Sequence, residues 1–403
     1  MPDNALLGER ARLAPHDISE NKGPTVPAPP LRAPATALRV GSPKEWLSAD
    51  DRAVILDQNY KTCLTIFVAC AAFYCLTLIG ALAPLPLVLN LVSAVANGLA
   101  ITHLFIIGHD CMHDAFAPSR KANRMLGRLA FIPCAFSPSL WIEGHNIHHH
   151  GKTNLRGCDF AWTPMDPESF AKAPPLRRQL ERIYRSPFGH GLYTFIEVWL
   201  KRLILPVAPE FREKWRRHAP DGLFVVAALA LTVGGVFVLG DAMTPNRSLL
   251  AIFLIGWLIP FAVWCHVFGL STYLQHTHPG VRWFDDPAEW SFYRAAILAT
   301  TDVDMSTKSL GLINDAMAHT VHHALPSVPV YRLKQAQEKL SARYRDDIIS
   351  FRFTFREYWR VLKACKLYNY KEHYWTDFDG RQTGPSLAFE AAPVLAPVAA
   401  DAA

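Results

Sequence analysis

No Asp, Glu, Lys or Arg occurs between Lys61 and Asp110. Few folds in water can absorb an uncharged run of that length, because a globular helix needs a polar face. At about 20 residues per crossing, the run suffices for two membrane spans. Pro84-Leu85-Pro86 breaks it, which predicts spans over 62–83 and 87–108. A second pair is predicted over 222–240 and 249–270, joined by a turn carrying Asp241 and Arg247. The expected fold class is all-α and integral to the membrane, with four transmembrane helices in two hairpins.

Charge placement orients this scheme. Arg120, Lys121, Arg124 and Arg128 follow the second span, and a series of Lys and Arg over 177–217 precedes the third. Of the Lys and Arg residues, the hairpin turns carry only Arg247. By the positive-inside bias, both termini and the long middle segment are expected on the cytoplasmic side. A nucleic-acid role for these cations is set aside, since they flank membrane spans. The N-terminus shows no cleavable signal pattern. Eight scattered cysteines without C-x-x-C argue against a disulfide framework or a zinc ribbon.

Residues 1–43, rich in Pro and Ala, and residues 376–403 are expected to be disordered tails. The body between them, 44–375, is one membrane domain. Ser42-Pro43 reads as a helix start. The stretch 126–136 is too short to span, so it reads as interfacial or re-entrant, and 188–207 reads as an amphipathic interfacial helix. Residues 282–318 form a cytoplasmic cap, and a soluble helix is expected over 328–344.

The chemistry is carried by histidines. His145, His148 and His149 stand at i, i+3 and i+4, and His319, His322 and His323 repeat that spacing. His109 and His113 form an i, i+4 pair. On an α-helix each set shares one face. With no span between the first and second clusters and two between the second and third, all three fall on one side of the membrane. Three clusters are too many ligands for one tetrahedral ion, so two metals are expected. Imidazole suits several metals, but only a redox-active one such as non-haem iron can use O2 against unactivated C–H bonds. His276 or His278 would be a further ligand. His103 is read as a core polar residue, and His16, His150, His190, His218 and His373 fit no spacing. Asp110 and Glu143 are candidates to orient imidazoles.

Taken together the boxes resemble the membrane-bound fatty acid desaturases, closest to acyl-lipid desaturases of the delta-12 or omega type. The matching segments are His-Asp-Cys-Met-His (109–113) and His-Asn-Ile-His-His (145–149), with Thr153-Asn154 and 159–164 after the second. Tyr-Leu-Gln-His-Thr-His-Pro (273–279) and His-Thr-Val-His-His (319–323), followed by Pro329, complete the set. The resemblance covers about residues 60–350. Met112, Val330 and Ala324-Leu325-Pro326 depart from the usual pattern without removing a ligand.

The resemblance implies a di-iron centre held by His109, His113, His145, His148, His149, His276, His319, His322 and His323, with His278 as the alternative to His276. It also implies O2 as co-substrate, a fatty acyl lipid as substrate, and a separate ferredoxin or cytochrome b5-type electron donor. The basic stretches suit an acidic partner. On this reading His148→Ala abolishes unsaturation. A lipid or carotenoid hydroxylase or ketolase shares every box. A membrane metal carrier or sensor is the alternative of another class, but it would place its histidines near the midplane of the spans.

Overall fold

A computed structural model describes residues 45–204 and 214–387. The expected N-terminal tail, the Ser42-Pro43 helix start, residues 205–207 of the predicted interfacial helix, and 388–403 of the C-terminal tail lie outside the described residues.

Four helices are long and apolar enough to cross a membrane: Tyr60–Leu82, Leu87–Met112, Arg216–Met243 and Leu249–His276. We refer to them as the first to fourth spans. The first ends one residue short of its predicted segment at the C-terminal end, the other three contain theirs, and the second and fourth run on to Met112 and His276, which carries His109 and His276 on helical backbone. Their outward surface is apolar: Leu76, Val88, Leu223 and Leu250, one on each span, are all 66% or more exposed. Patches of this kind on every span fit lipid rather than water.

The second span packs along the first and against the fourth. A Cβ at Gly98 would stand 2.5 Å from Val263 Cβ and 2.7 Å from the Pro260 carbonyl, so only glycine admits this approach. Polar side chains staple the first two spans. Asn97 Nδ2 donates to the Tyr74 carbonyl (2.9 Å) and Asn90 Nδ2 to those of Gly80 and Ala83 (2.9 and 3.0 Å). Away from water, such bonds have few competitors.

Between the second and third spans lie the helix Arg120–Phe131, capped by Ser119, and the short helix Pro138–Trp141. The latter runs without a break into a π-helix, Ile142–His149. The predicted 188–207 helix is built as His190–Tyr193 followed by the π-helical Thr194–Ile204. After the fourth span come His319–Ala324 and Val330–Arg343, the latter answering the helix expected over 328–344.

The chain is mostly helical, as expected, and the described residues add four short strands. Thr301–Asp304 (β1) pairs in parallel with Ile349–Arg352 (β2), and Leu367–Asn369 (β3) pairs antiparallel with Tyr374–Thr376 (β4). At three or four residues each, these strands are too short to show a period of two. The expected C-terminal tail also begins later than 376. Thr383 donates its N–H to the Trp375 carbonyl (2.9 Å) and Leu387 to that of His373 (2.7 Å), which ties 376–387 to the body.

Candidate metal centre

The second span carries His109 in its last turn, with His113 as its C-cap residue. The fourth ends on His276, beyond which Thr277 is extended. The short helix His319–Ala324 is anchored where the Val321 N–H donates to Gln337 Oε1 (2.9 Å). The π-helix brings the remaining rings.

These elements gather nine imidazoles into two groups. His109, His113, His145, His150 and His322 form one, and His149, His276, His319 and His323 the other. Within each group, one nitrogen per ring lies within 4.8 Å of every other. The groups adjoin, with His150 stacked on His323 at 4.2 Å between centroids.

One predicted member is displaced. His148 belongs to neither group: its Nε2 stands 3.7 Å from Glu143 Oε1, and its side chain is 29% exposed. His150, which matched no spacing, is 5% exposed and lies in the first group instead. The cause is the helix type. An α-helix returns to the same face after three or four residues, whereas a π-helix bonds i to i+5 and accommodates one more. His145 is therefore aligned with His149 and His150 at i+4 and i+5, and His148 turns outward. His276 lies in the second group, whereas His278 lies beside Arg360 Nη2 (2.8 Å) and Glu357. His103 is a core polar residue, with its ring nitrogens at the Leu99 and Leu310 carbonyls.

Neighbouring side chains fix which ring nitrogen carries the proton. Asp159 accepts the Asn154 N–H through Oδ2 (2.7 Å) and the Ala161 N–H through Oδ1 (2.9 Å), so His149 Nδ1 must donate to it (2.8 Å). Asn154 spends both amide hydrogens on the Arg282 and Ala299 carbonyls, leaving its Oδ1 to accept from His276 Nδ1 (3.2 Å). The Thr153 hydroxyl donates to the His149 carbonyl (2.8 Å), so His323 Nδ1 donates to Thr153 Oγ1 (3.0 Å). Asp110 accepts from His109 Nδ1 (3.1 Å) and from the Val330 N–H. Of the two acids proposed to orient imidazoles, Asp110 does so. Glu143 is buried, paired with Lys214 and turned toward His148.

With Nδ1 committed, His149, His276 and His323 each present an Nε2 lone pair. His319 Nε2 lies 2.9 Å from Nε2 of both His276 and His323, and it has at most one proton to share between them. In the other group, His145 Nε2 lies 2.9 Å from His109 Nε2 and 3.1 Å from His150 Nε2. His113 Nε2 and both nitrogens of His322 are buried with no hydrogen-bond partner. Converging lone pairs with too few protons fit cations, one for each group. Burial, reinforced by neighbouring imidazoles, holds His113, His145, His150, His319, His322 and His323 well below the usual histidine range. The neutral ring is the form that ligates a metal.

The groups line a cavity whose other walls are mainly apolar, with Phe105, Ile106, Phe160, Val198, Phe268 and Leu333 among them. Trp162 closes on it in the left-handed region (φ 61°). Its N–H donates to the Tyr193 hydroxyl (2.9 Å), its indole N–H to Thr272 Oγ1 (2.9 Å), and its carbonyl accepts from buried Arg185 (2.9 Å). Asp159, Asn154 and Thr153 are the functional residues whose roles spacing did not expose, because they come from a loop.

The model of the fatty acid desaturase family matches residues 84–355, well over half of the chain. Among curated proteins, the chain is similar to an "omega-6 fatty acid desaturase, chloroplastic" of Spinacia oleracea, 27% identical over 280 residues, which are 69% of this chain and 59% of the relative. It is similar to an "sn-1 oleoyl-lipid 12-desaturase" of Synechocystis, 28% identical over 280 residues, 70% of this chain and 76% of the relative. A third, an "sn-1 acyl-lipid omega-3 desaturase (ferredoxin)" of Synechocystis, is 27% identical over 282 residues, 65% of this chain and 72% of the relative. The chain spans about 60% of the length of the first of these.

Proposed function

Because the chain belongs to the fatty acid desaturase family, we propose that it inserts a double bond into a long acyl chain by an O2-dependent reaction in the membrane. The observation that carries this reading is the juxtaposition of two lone-pair-rich histidine groups with an apolar cavity. We assign the metal ligands as His109, His113, His145, His150 and His322 for one ion and His149, His276, His319 and His323 for the other. This replaces His148 with His150 in the set expected from spacing. Two iron ions bound there would supply the redox chemistry that zinc lacks.

The rest falls to the chain's own residues. Asp110, Asp159, Asn154 and Thr153 hold the Nδ1 protons and aim the Nε2 atoms. Phe105, Phe160 and Phe268 exclude water and grip an acyl chain by dispersion. The fixed indole of Trp162, hydrogen-bonded to Thr272, limits how that chain can lie. Overall, two adjacent methylenes lose two hydrogens, and O2 takes these with two further electrons and two protons to give two waters. The electrons come from a separate one-electron donor, as the ferredoxin in the name of the Synechocystis omega-3 relative supports. The names of the other relatives favour a lipid-linked acyl substrate and delta-12 or omega-6 placement. The charge bias supports two hairpins with both termini and the histidines on the cytoplasmic side.

The test is expression in a host whose membranes lack polyunsaturated acids, with mass spectrometry of fatty acid methyl esters and metal analysis of the purified protein. A new double bond together with bound iron is expected. Hydroxylated acids alone, or zinc as the sole metal, would overturn the reading.

A further inference from the structure

We propose that the outer face of the Ile142–His149 π-helix is the docking site for a small acidic electron-transfer protein. The proposal rests on the desaturase reading and gives that reaction its point of electron entry.

The wall of the site is thin here. Gly144, His145 and His149 are buried on the inner side of this helix, while Ile147 on the outer side is 51% exposed. One helix wall therefore separates solvent from both histidine groups. His148, displaced outward by the π geometry, stands at the same surface.

Cations surround this face. On one side Asp114, next to His113, binds Arg120 (3.5 Å) and Arg124 (3.8 Å). That corner meets the π-helix where Asn146 Nδ2 donates to the Met112 carbonyl (2.8 Å). On the other side Glu143, facing His148, binds Lys214 and, at 3.9 Å, Arg217. Arg128 joins them through Asp221 (3.4 Å), whose second oxygen accepts the Ser139 N–H (2.7 Å) at the foot of the same helix. Three carboxylates thus anchor five cations, of which Arg120 and Arg217 are 76% and 68% exposed. An exposed apolar residue within a positive rim is the anatomy of a transient interface with an acidic protein. Anionic lipid headgroups share the same charge, but they would not bring a redox centre within one helix of the histidines.

The test uses the full-length protein in nanodiscs of zwitterionic lipid, with a reduced plant-type [2Fe–2S] ferredoxin as probe. Arg120→Glu/Arg217→Glu is compared with the milder Arg120→Gln/Arg217→Gln. The charge reversal is expected to raise the KM for ferredoxin by about tenfold and the neutral pair by about threefold. Dithionite-driven single turnover and kcat at saturating ferredoxin stay unchanged. Added NaCl is expected to weaken the wild-type interaction more steeply than that of either variant.

A ferredoxin KM unmoved in both variants overturns the proposal. So does activity that, in parallel discs with added anionic lipid, follows the lipid charge instead of ferredoxin, or dithionite-driven turnover that ferredoxin cannot replace. Failure of wild-type turnover even with dithionite refutes the desaturase reading itself, and so is distinguishable.

Discussion

Replacing His148 and His150 separately by Ala asks which of two adjacent residues serves the metal. Spacing on an α-helix selects His148, whereas the π-helix selects His150. His150→Ala removes one of five donors from its group. Changes to residues that merely orient a ligand cost about 10–100-fold in metal affinity, so loss of the ligand itself should cost about 100-fold or more, roughly 2.8 kcal/mol. His148→Ala leaves all nine rings in place and loses only a partly exposed contact with Glu143, about 0.5 kcal/mol. The assay is iron per chain by plasma mass spectrometry after dialysis against a graded chelator, paired with product analysis. His148→Ala is expected to retain an ion for each group and to desaturate, and His150→Ala to lose iron from the five-ring group and to be inactive. Deleting Ile147 probes the same geometry from the other direction. It removes the extra residue and puts His145, His149 and His150 at α-helical spacing, so iron should be retained. Iron lost from His148→Ala but kept in His150→Ala refutes the reasoning.

Two further outcomes follow from the surroundings of the site. Asp159→Asn leaves His149 and the Asn154 N–H with one acceptor between them, so iron affinity should fall by about 10–100-fold in chelator competition, and an unchanged affinity would count against the tautomer argument. In β1, whose Asp302 bridges Ala318 just before His319, burial raises Asp302 to about 6 from a usual 3.8. Its folded form therefore binds the proton more tightly than the unfolded chain does, and stability declines as pH rises from about 4 through about 6. Asp302→Asn removes that cost, a gain of about 1–2 kcal/mol above pH 6.5 that shrinks toward pH 4. Melting followed by tryptophan fluorescence should show the difference widening with pH, and a constant difference would contradict it.

What could be read from the sequence follows the length scale of each signal. The spans were readable because a charge-free run survives any uncertainty about local geometry, as the positions of Tyr60–Leu82 and Leu87–Met112 show. The resemblance left His276 and His278 both open, and only the helical run of the fourth span to His276 brings that ring to the second group. The short pairing of β1 with β2 was not readable, because it joins positions nearly 50 residues apart over four residues. Nor did spacing reveal Asn154, whose amide reaches His276 from a loop at φ 57°.

The second box shows why spacing alone could not decide among its ligands. Three consecutive histidines at 148–150 satisfy two helical periods at once, and residue identity cannot choose between them. The choice is made by what each ring must find. Rotating His148 inward would bring Glu143 and its cations toward the apolar cavity, and it would turn His150 away from His323. With His150 inward, Glu143 stays paired with Lys214 away from the cavity and Asp159 still reaches His149 Nδ1. The extra residue of the π turn thus separates a neutral, proton-poor inner face from a cationic outer one. The same local distortion that completes the five-ring group also leaves His148 and Ile147 at the surface.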